Sequence, residues 1–385
     1  MKKNSLRILH KCAEKKMHHT LIPKTILTVL IGILLTFGAC QKNPINNEDN
    51  LYIEYNLYQD LWGTIQKSDS PFYIDGAARV PIGETLVIEP GVMIVFKSGQ
   101  IGTVYDSDYD WSDSTIDIGF LRVDGKLIAE GTETDSIIFT KASDIDDQYW
   151  GCIYFSETAD SGSVISFSII EYASLINNIE SKVLTMGITC WYSSMVIRNN
   201  LIQNFKEFGI CLQNSETLIQ NNIIKNCITG IHTWAFDGLA YLQPVIRNNI
   251  IIKNSHNGVS IGKPKPLIEN NVICYNANVG LYVGMEPLGK DNVTNNILWG
   301  NKNSQVKIDS FYVKELNITY SCIENGWSGE GNINIDPKFF DIAVEDFHLH
   351  PGSPCINAGN PLQKYNDHDG SRNDMGAYGG PHGKW

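Results

Sequence analysis

The chain has 385 residues, enough to bury a large core, and a formal net charge of −12. Its 30 Lys and Arg against 42 Asp and Glu argue against a nucleic-acid or anionic-membrane binder. A groove for a polyanion on such a protein needs local basic residues or bound cations.

The N-terminus carries the opposite bias. Residues 1–39 hold seven basic residues and one acid, Glu14, which leaves 23 basic and 41 acidic residues in the remainder. Lys24 precedes the apolar run ILTVLIGILLTFGA, which ends at Cys40. This run is shorter than the roughly 20 residues a membrane-spanning helix needs. Residues 1–39 therefore read as a cleaved export signal. The stretch TFGAC resembles a lipobox, the small-residue pair before the cysteine that is lipidated in bacterial lipoproteins, with Phe37 where Leu is usual. On that reading Cys40 carries acyl chains, and residues 40–61, with QKNPINNEDN after the cysteine, form a polar tether. The membrane is then a partner only through the lipid, at the outer membrane or cell surface. Beyond Cys12 and Cys40 the chain has Cys152, Cys190, Cys211, Cys227, Cys274, Cys322 and Cys355, without a Cys-x-x-Cys motif. An odd number leaves at least one unpaired, and small buried hydrophobes are the expected role for most.

Further along, Asn-Asn pairs stand at 199/200, 221/222, 248/249, 270/271 and 295/296, spaced by 22, 27, 22 and 25 residues. A period of this size means one supersecondary unit per repeat, stacked on its neighbours. Each unit carries short β-branched runs such as VIRNN and NIIIKN, and no 3.6-residue period emerges. The pattern predicts a coil of short strands per repeat, pairing in parallel with the next coil at about 4.8 Å. The Asn residues are expected at one corner, with their amides bonded along the axis and their backbone in a tight turn or αL conformation. Gly187, Gly209, Gly230, Gly258 and Gly280 are expected at another corner, opening a strand.

These repeats resemble those of right-handed parallel β-helix proteins of the pectin-lyase-like superfamily. The segments GETLVIEPGVMIVF, LRVDGKLIAEGTETDSIIFT and YWGCIYF carry the likeness upstream, and SPCINAGNP with DHDGSRNDMGAYGG resembles a tail of bacterial surface β-helix proteins. The implied architecture is all-β: a single-stranded solenoid over 62–335, followed by a C-terminal tail or cap over 336–385. One fold hosts many functions, so the likeness implies no particular activity.

Counting from each corner glycine, positions +1 and +3 are mostly apolar and point inward, while +2 and +4 point outward. The outward +2 column reads Thr189, Cys211, His232, Ser260 and Tyr282, extended by Tyr154 upstream and Lys307 downstream. The +4 column reads Trp191, Gln213, Trp234, Gly262 and Gly284. The indoles of Trp191 and Trp234 are expected about 10 Å apart along the axis. Gly262 and Gly284 leave room for a concavity, walled by Phe236, Asp237 and Tyr241 of the AFDGLAYLQP insertion. Flat aromatic faces suit the C–H face of a sugar, so Tyr154, Trp191, His232, Trp234 and Tyr282 are the carbohydrate-binding candidates. The alternative is that the insertion buries the indoles as ordinary packing.

Three functions stay open: a carbohydrate-interacting surface protein, a polysaccharide lyase or glycoside hydrolase, and a structural or adhesive protein without glycan recognition. A hydrolase needs paired carboxylates, and a lyase needs a base with a cation to stabilise the developing charge. The deduced face offers neither; His232 is the one candidate base, and Asp146-Asp147 falls in a polar loop. The tail places Asp367, Asp369 and Asp374 around Gly370, a spacing that can converge on Ca2+. The alternative is an Asp/Gly turn with Arg372 pairing a carboxylate. The expected partner is a polysaccharide or cell-surface glycan, with no nucleic acid, and the protein is expected to be a monomer.

Overall fold

The computed structural model describes residues 58–97, 119–142, 149–173, 186–235, 242–263, 265–284, 292–309, 311, 313 and 316–383. Cys40, the Asp146-Asp147 pair and the insertion residues Phe236, Asp237 and Tyr241 lie outside them. Successive strands go in turn to three long parallel sheets. Sheet A has ten strands from Gln59–Asp60 to Ser304–Ile308, sheet B nine from Gly63–Ile65 to Val293–Thr294, and sheet C ten from Phe72–Asp75 to Cys322–Ile323. Each coil thus gives one strand to each sheet and pairs with the coils before and after it. The described residues contain only three short 3-10 turns besides strands and loops. This is a parallel β-helix.

Alternation builds the core. On sheet A, Ile153, Ile188, Ile210, Ile231, Val259 and Leu281 are Cα partners in consecutive coils and all are buried. Sheet B stacks Ile165, Ile197, Ile219, Ile246 and Ile268 in the same way. Sheet C stacks Ile170, Ile202, Ile224, Ile251 and Ile273. Burying each such side chain contributes roughly 1.5–3 kcal/mol, and one long hydrophobic cluster runs through the coils. The seven described cysteines are all free and buried.

The Asn pairs divide two tasks between them. The first member, at 199, 221, 248, 270 and 295, takes the αL conformation at the corner between sheets B and C, with φ of 53–60°. The second member turns inward and forms a buried ladder. Asn200 donates to Asn222 Oδ1, Asn222 to Asn249, Asn249 to Asn271 and Asn271 to Asn296, through both the main-chain N–H and the side-chain amide. Each amide also reaches a main-chain carbonyl of the previous coil, as Asn249 does at Ile219. A second buried ladder at the next corner runs Asn254, Asn276, Asn301 and ends on Gln305. The corner glycines have no positive φ; they are needed for close approach instead. A Cβ on Gly209, Gly230 or Gly258 would stand 2.7–2.8 Å from the carbonyl oxygen of the next coil's glycine.

The tail is a strap on the side of the helix. The outward residues of sheet C in its later coils are apolar, and Ile250, Ile252, Val272, Cys274 and Ile297 pack with Phe347, Cys355, Met375 and Ala377. A hairpin of Phe339–Asp341 and Asp346–Leu349 supplies Phe347. The αL asparagines hold the rest. Asn248 donates to the carbonyls of Ala377 and Gly379, Asn270 to those of Asp374 and Gly376, and Asn360 N donates to Asn295 Oδ1. Lys225 and Lys253 both clamp Glu345 at 2.6 Å.

Candidate functional site

The outward column on sheet A runs through every coil. Its register is Asp60, Arg79, Arg122, Tyr154, Thr189, Cys211, His232, Ser260, Tyr282 and Lys307. Five of these ten follow from the corner glycines and two, Tyr154 and Lys307, extend the column; the first three do not. The early coils lack the Asn-Asn pairs that set the register, so Asp60, Arg79 and Arg122 had no local signal. Arg79 grips Asp60 through Nε and Nη2 at 2.9 and 3.2 Å, and Arg122 grips Asp124 at 2.7 Å. Tyr154 sits under the Arg122 guanidinium, 5.6 Å from its ring centre. This end of the face is a set of compensated ion pairs, and its carboxylates are engaged by arginines.

The other candidates lie further along. Trp191, Gln213 and Trp234 are consecutive Cα partners, which puts the two indoles two coils apart. Both are half-buried. Trp191 packs against Tyr192 at 5.5 Å between ring centres. His232 stacks on Phe208 at 4.6 Å and 17°, and lies 6.5 Å from Trp234. Phe208 escaped the sequence reading because it precedes its corner glycine and was not counted in either column. Thr189 and Cys211, between Tyr154 and His232, are buried, so Tyr154 belongs to a different neighbourhood from Tyr282. The two glycines do not open the expected concavity. A Cβ on Gly262 would stand 3.0 Å from Trp234 Cε3, and one on Gly284 3.0 Å from Tyr282 Cε1. They give the aromatic rings room to lie against the backbone.

A groove of about 410 Å3 opens beside the stack, lined by Phe208, His232, His256, Ser260, Tyr282 and Lys307 among others. Its rim is a chain of polar side chains: Asn303 donates to Asn278 Oδ1, and Asn278 Nδ2 lies 2.8 Å from His256 Nε2. No carboxylate lines it. Burial among the aromatic rings pushes the His232 imidazole down to about 4. A base so weak is poorly matched to proton transfer at neutral pH.

That shift predicts a pH dependence. The unfolded chain takes up a proton on His232 near pH 6.5, whereas the folded chain resists it until about pH 4. Stability from this residue is therefore complete above pH 6.5 and is lost as pH falls toward 4. The loss reaches about 3 kcal/mol at most. His232→Gln removes this component, so the urea midpoints of the two proteins converge as pH falls from 7.5 to 4.5. Parallel midpoint curves would show that His232 titrates normally.

The tail acids do not form the expected Ca2+ set. Asp367 accepts from the N–H groups of Asp374 and Gly380, Asp369 from Ser371, and Asp374 from Asn357 N. Arg372 donates to the carbonyls of Gly359 and Ala358. The carboxylates hold a turn against the helix because each main-chain donor of this Gly-rich segment needs an acceptor.

Fold and face together define a parallel β-helix repeat protein with an aromatic groove on one sheet. Residues 157–334, a little under half of the chain, are similar to the family described as NosD, periplasmic copper-binding protein. No curated protein matches the chain. A copper ion needs several imidazole, thiolate or thioether donors converging on one point. Among the described residues no group of three or more His, Cys, Asp or Glu side chains is arranged to hold a metal ion. The groove offers two imidazoles, one stacked between rings and one bonded to Asn278. This donor set does not fit a copper ion.

Proposed function

We propose that the protein is an exported β-helix, tethered to the cell envelope through a lipid on Cys40, that holds a polysaccharide along sheet A. The observation that carries this reading is the ring stack of Phe208, His232 and Trp234 beside a groove without carboxylates, edged by amides and Lys307. Half-buried rings supply flat apolar faces for sugar C–H groups, and Asn278, His256 and Ser260 supply hydrogen bonds to hydroxyls. The ligand runs parallel to the helix axis, because the stacked residues repeat in that direction at about 4.8 Å. Binding rather than turnover fits the groove, since no carboxylate lines it and its histidine is a weak base.

A glycan array identifies the ligand, and titration of two variants tests the site. Trp191→Ala and Trp234→Ala each weaken binding by about 1 kcal/mol or more, the range for well-packed contact residues. Both keep the fold, because neither residue belongs to the core cluster. Unchanged affinity with a melting temperature lowered by several degrees would instead mark the indoles as packing.

A further inference from the structure

We infer that the corner between sheets C and A carries a second binding site, for an anionic saccharide, separate from the groove on sheet A. A trough of about 570 Å3 runs along this corner over four coils. Tyr149 and Tyr172 line one end, Asn204, Lys206 and Asn226 the middle, and Lys253 the other end. None of its lining residues lines the sheet-A groove.

The backbone aims these side chains outward together. Tyr172, Asn204, Asn226 and Lys253 occupy the same corner position in successive coils, all in αL with φ of 53–61°. This conformation costs an ordinary side chain roughly 1–2 kcal/mol. Asn tolerates it best, and Asn204 and Asn226 bond to each other at 3.2 Å. Tyr172 and Lys253 keep larger side chains there in spite of the strain, and both line the trough.

The chemistry selects the ligand. No Asp or Glu lines the trough, although the chain as a whole carries −12. Lys206 lies 4.3 Å from the centre of the Tyr149 ring, so the two form a combined flat and cationic surface. Lys253 and Lys225 share the single carboxylate of Glu345, which leaves one positive charge in excess. Paired amides and the Ser255 hydroxyl complete the wall. Tyrosine faces suit sugar rings, ammonium groups suit carboxylate or sulfate, and amides suit hydroxyls. A neutral glycan would leave the excess positive charge uncompensated, and a simple inorganic anion would leave the rings unused.

The test is calorimetric titration of the full-length protein with a tetragalacturonate, a chondroitin sulfate tetrasaccharide and neutral cellotetraose. The expected result is saturable binding of at least one acidic probe, weakening as salt rises. Which acidic probe binds decides between carboxylate and sulfate. Lys206→Ala and Tyr149→Ala each raise its Kd at least fivefold, Lys206→Arg restores most of the affinity, and Trp234→Ala leaves it unchanged. Both residues lie at the surface of the trough, and unchanged melting curves confirm that the variants fold. Three results overturn the inference: no saturable binding of either acidic probe, equal affinity for cellotetraose, or binding lost in Trp234→Ala but intact in Lys206→Ala. The last would place the ligand on sheet A.

Discussion

Asn249→Ala destabilises the protein by about 3–5 kcal/mol, the upper end of single-residue effects. Asn249 is 0% exposed and is a central rung of the inner ladder. Its amide donates to Asn271 Oδ1 and to the carbonyls of Ile219 and Arg247, and its own oxygen accepts from Asn222 N and Nδ2. Truncation leaves the Asn222 N–H buried without its acceptor and strips one bond from each of the other groups, and an unsatisfied buried group costs about 1–3 kcal/mol. The break also separates the rungs above and below it. Asn226→Ala is the comparison. Its side chain is exposed and makes one bond, to Asn204, so its loss together with the αL strain on Ala costs about 1 kcal/mol. Equal urea midpoints for the two variants would show that the inner ladder has no special weight.

Phe347→Ala releases the strap. The ring is 1% exposed, meets Phe339 edge-on at 5.0 Å and lies 6.3 Å from Tyr275. Burying it covers the apolar outer face of sheet C, and removing a buried Phe costs about 3–5 kcal/mol. The effect is local, because the remaining tail is still held by Asn248, Asn270 and Asn295. Limited proteolysis of the variant therefore cuts first within residues 338–350, while the coils resist. The hairpin already exposes Phe340 and Val344 at 64% and 73%, so a protease needs little further opening. Cleavage of variant and unmodified protein at the same rate and sites would contradict the strap.

The inner half of this fold was legible in the sequence because a solenoid repeats its demands. Ile188, Ile210 and Ile231 answer the same packing need in successive coils, and one corner glycine suffices to align them. The outward column followed from the same alternation, down to Lys307. What escaped was non-local. The consecutive apolar residues of NIIIKN and VIC left both strand faces hydrophobic, the mark of a strand buried on both sides. Nothing nearby in the chain says that residues 336–383 are the cover. The second ladder escaped because Asn254, Asn276 and Asn301 stand outside the Asn-Asn pairs. The three acids of the tail looked like ligands since spacing alone cannot show that Asp367 serves the N–H groups of Asp374 and Gly380. Gly262 and Gly284 were read as open space, whereas a ring fills each, because sequence does not reveal side-chain direction along a strand.

The central claim is that the sheet-A aromatics receive a glycan, and hydroxyl-radical footprinting of their side chains tests it most directly. With the glycan that the array selects at saturation, oxidation of Phe208, Trp234 and Tyr282 falls severalfold, while exposed Phe340 on the tail reacts as before. Unchanged oxidation of those three rings under saturating glycan would contradict the account.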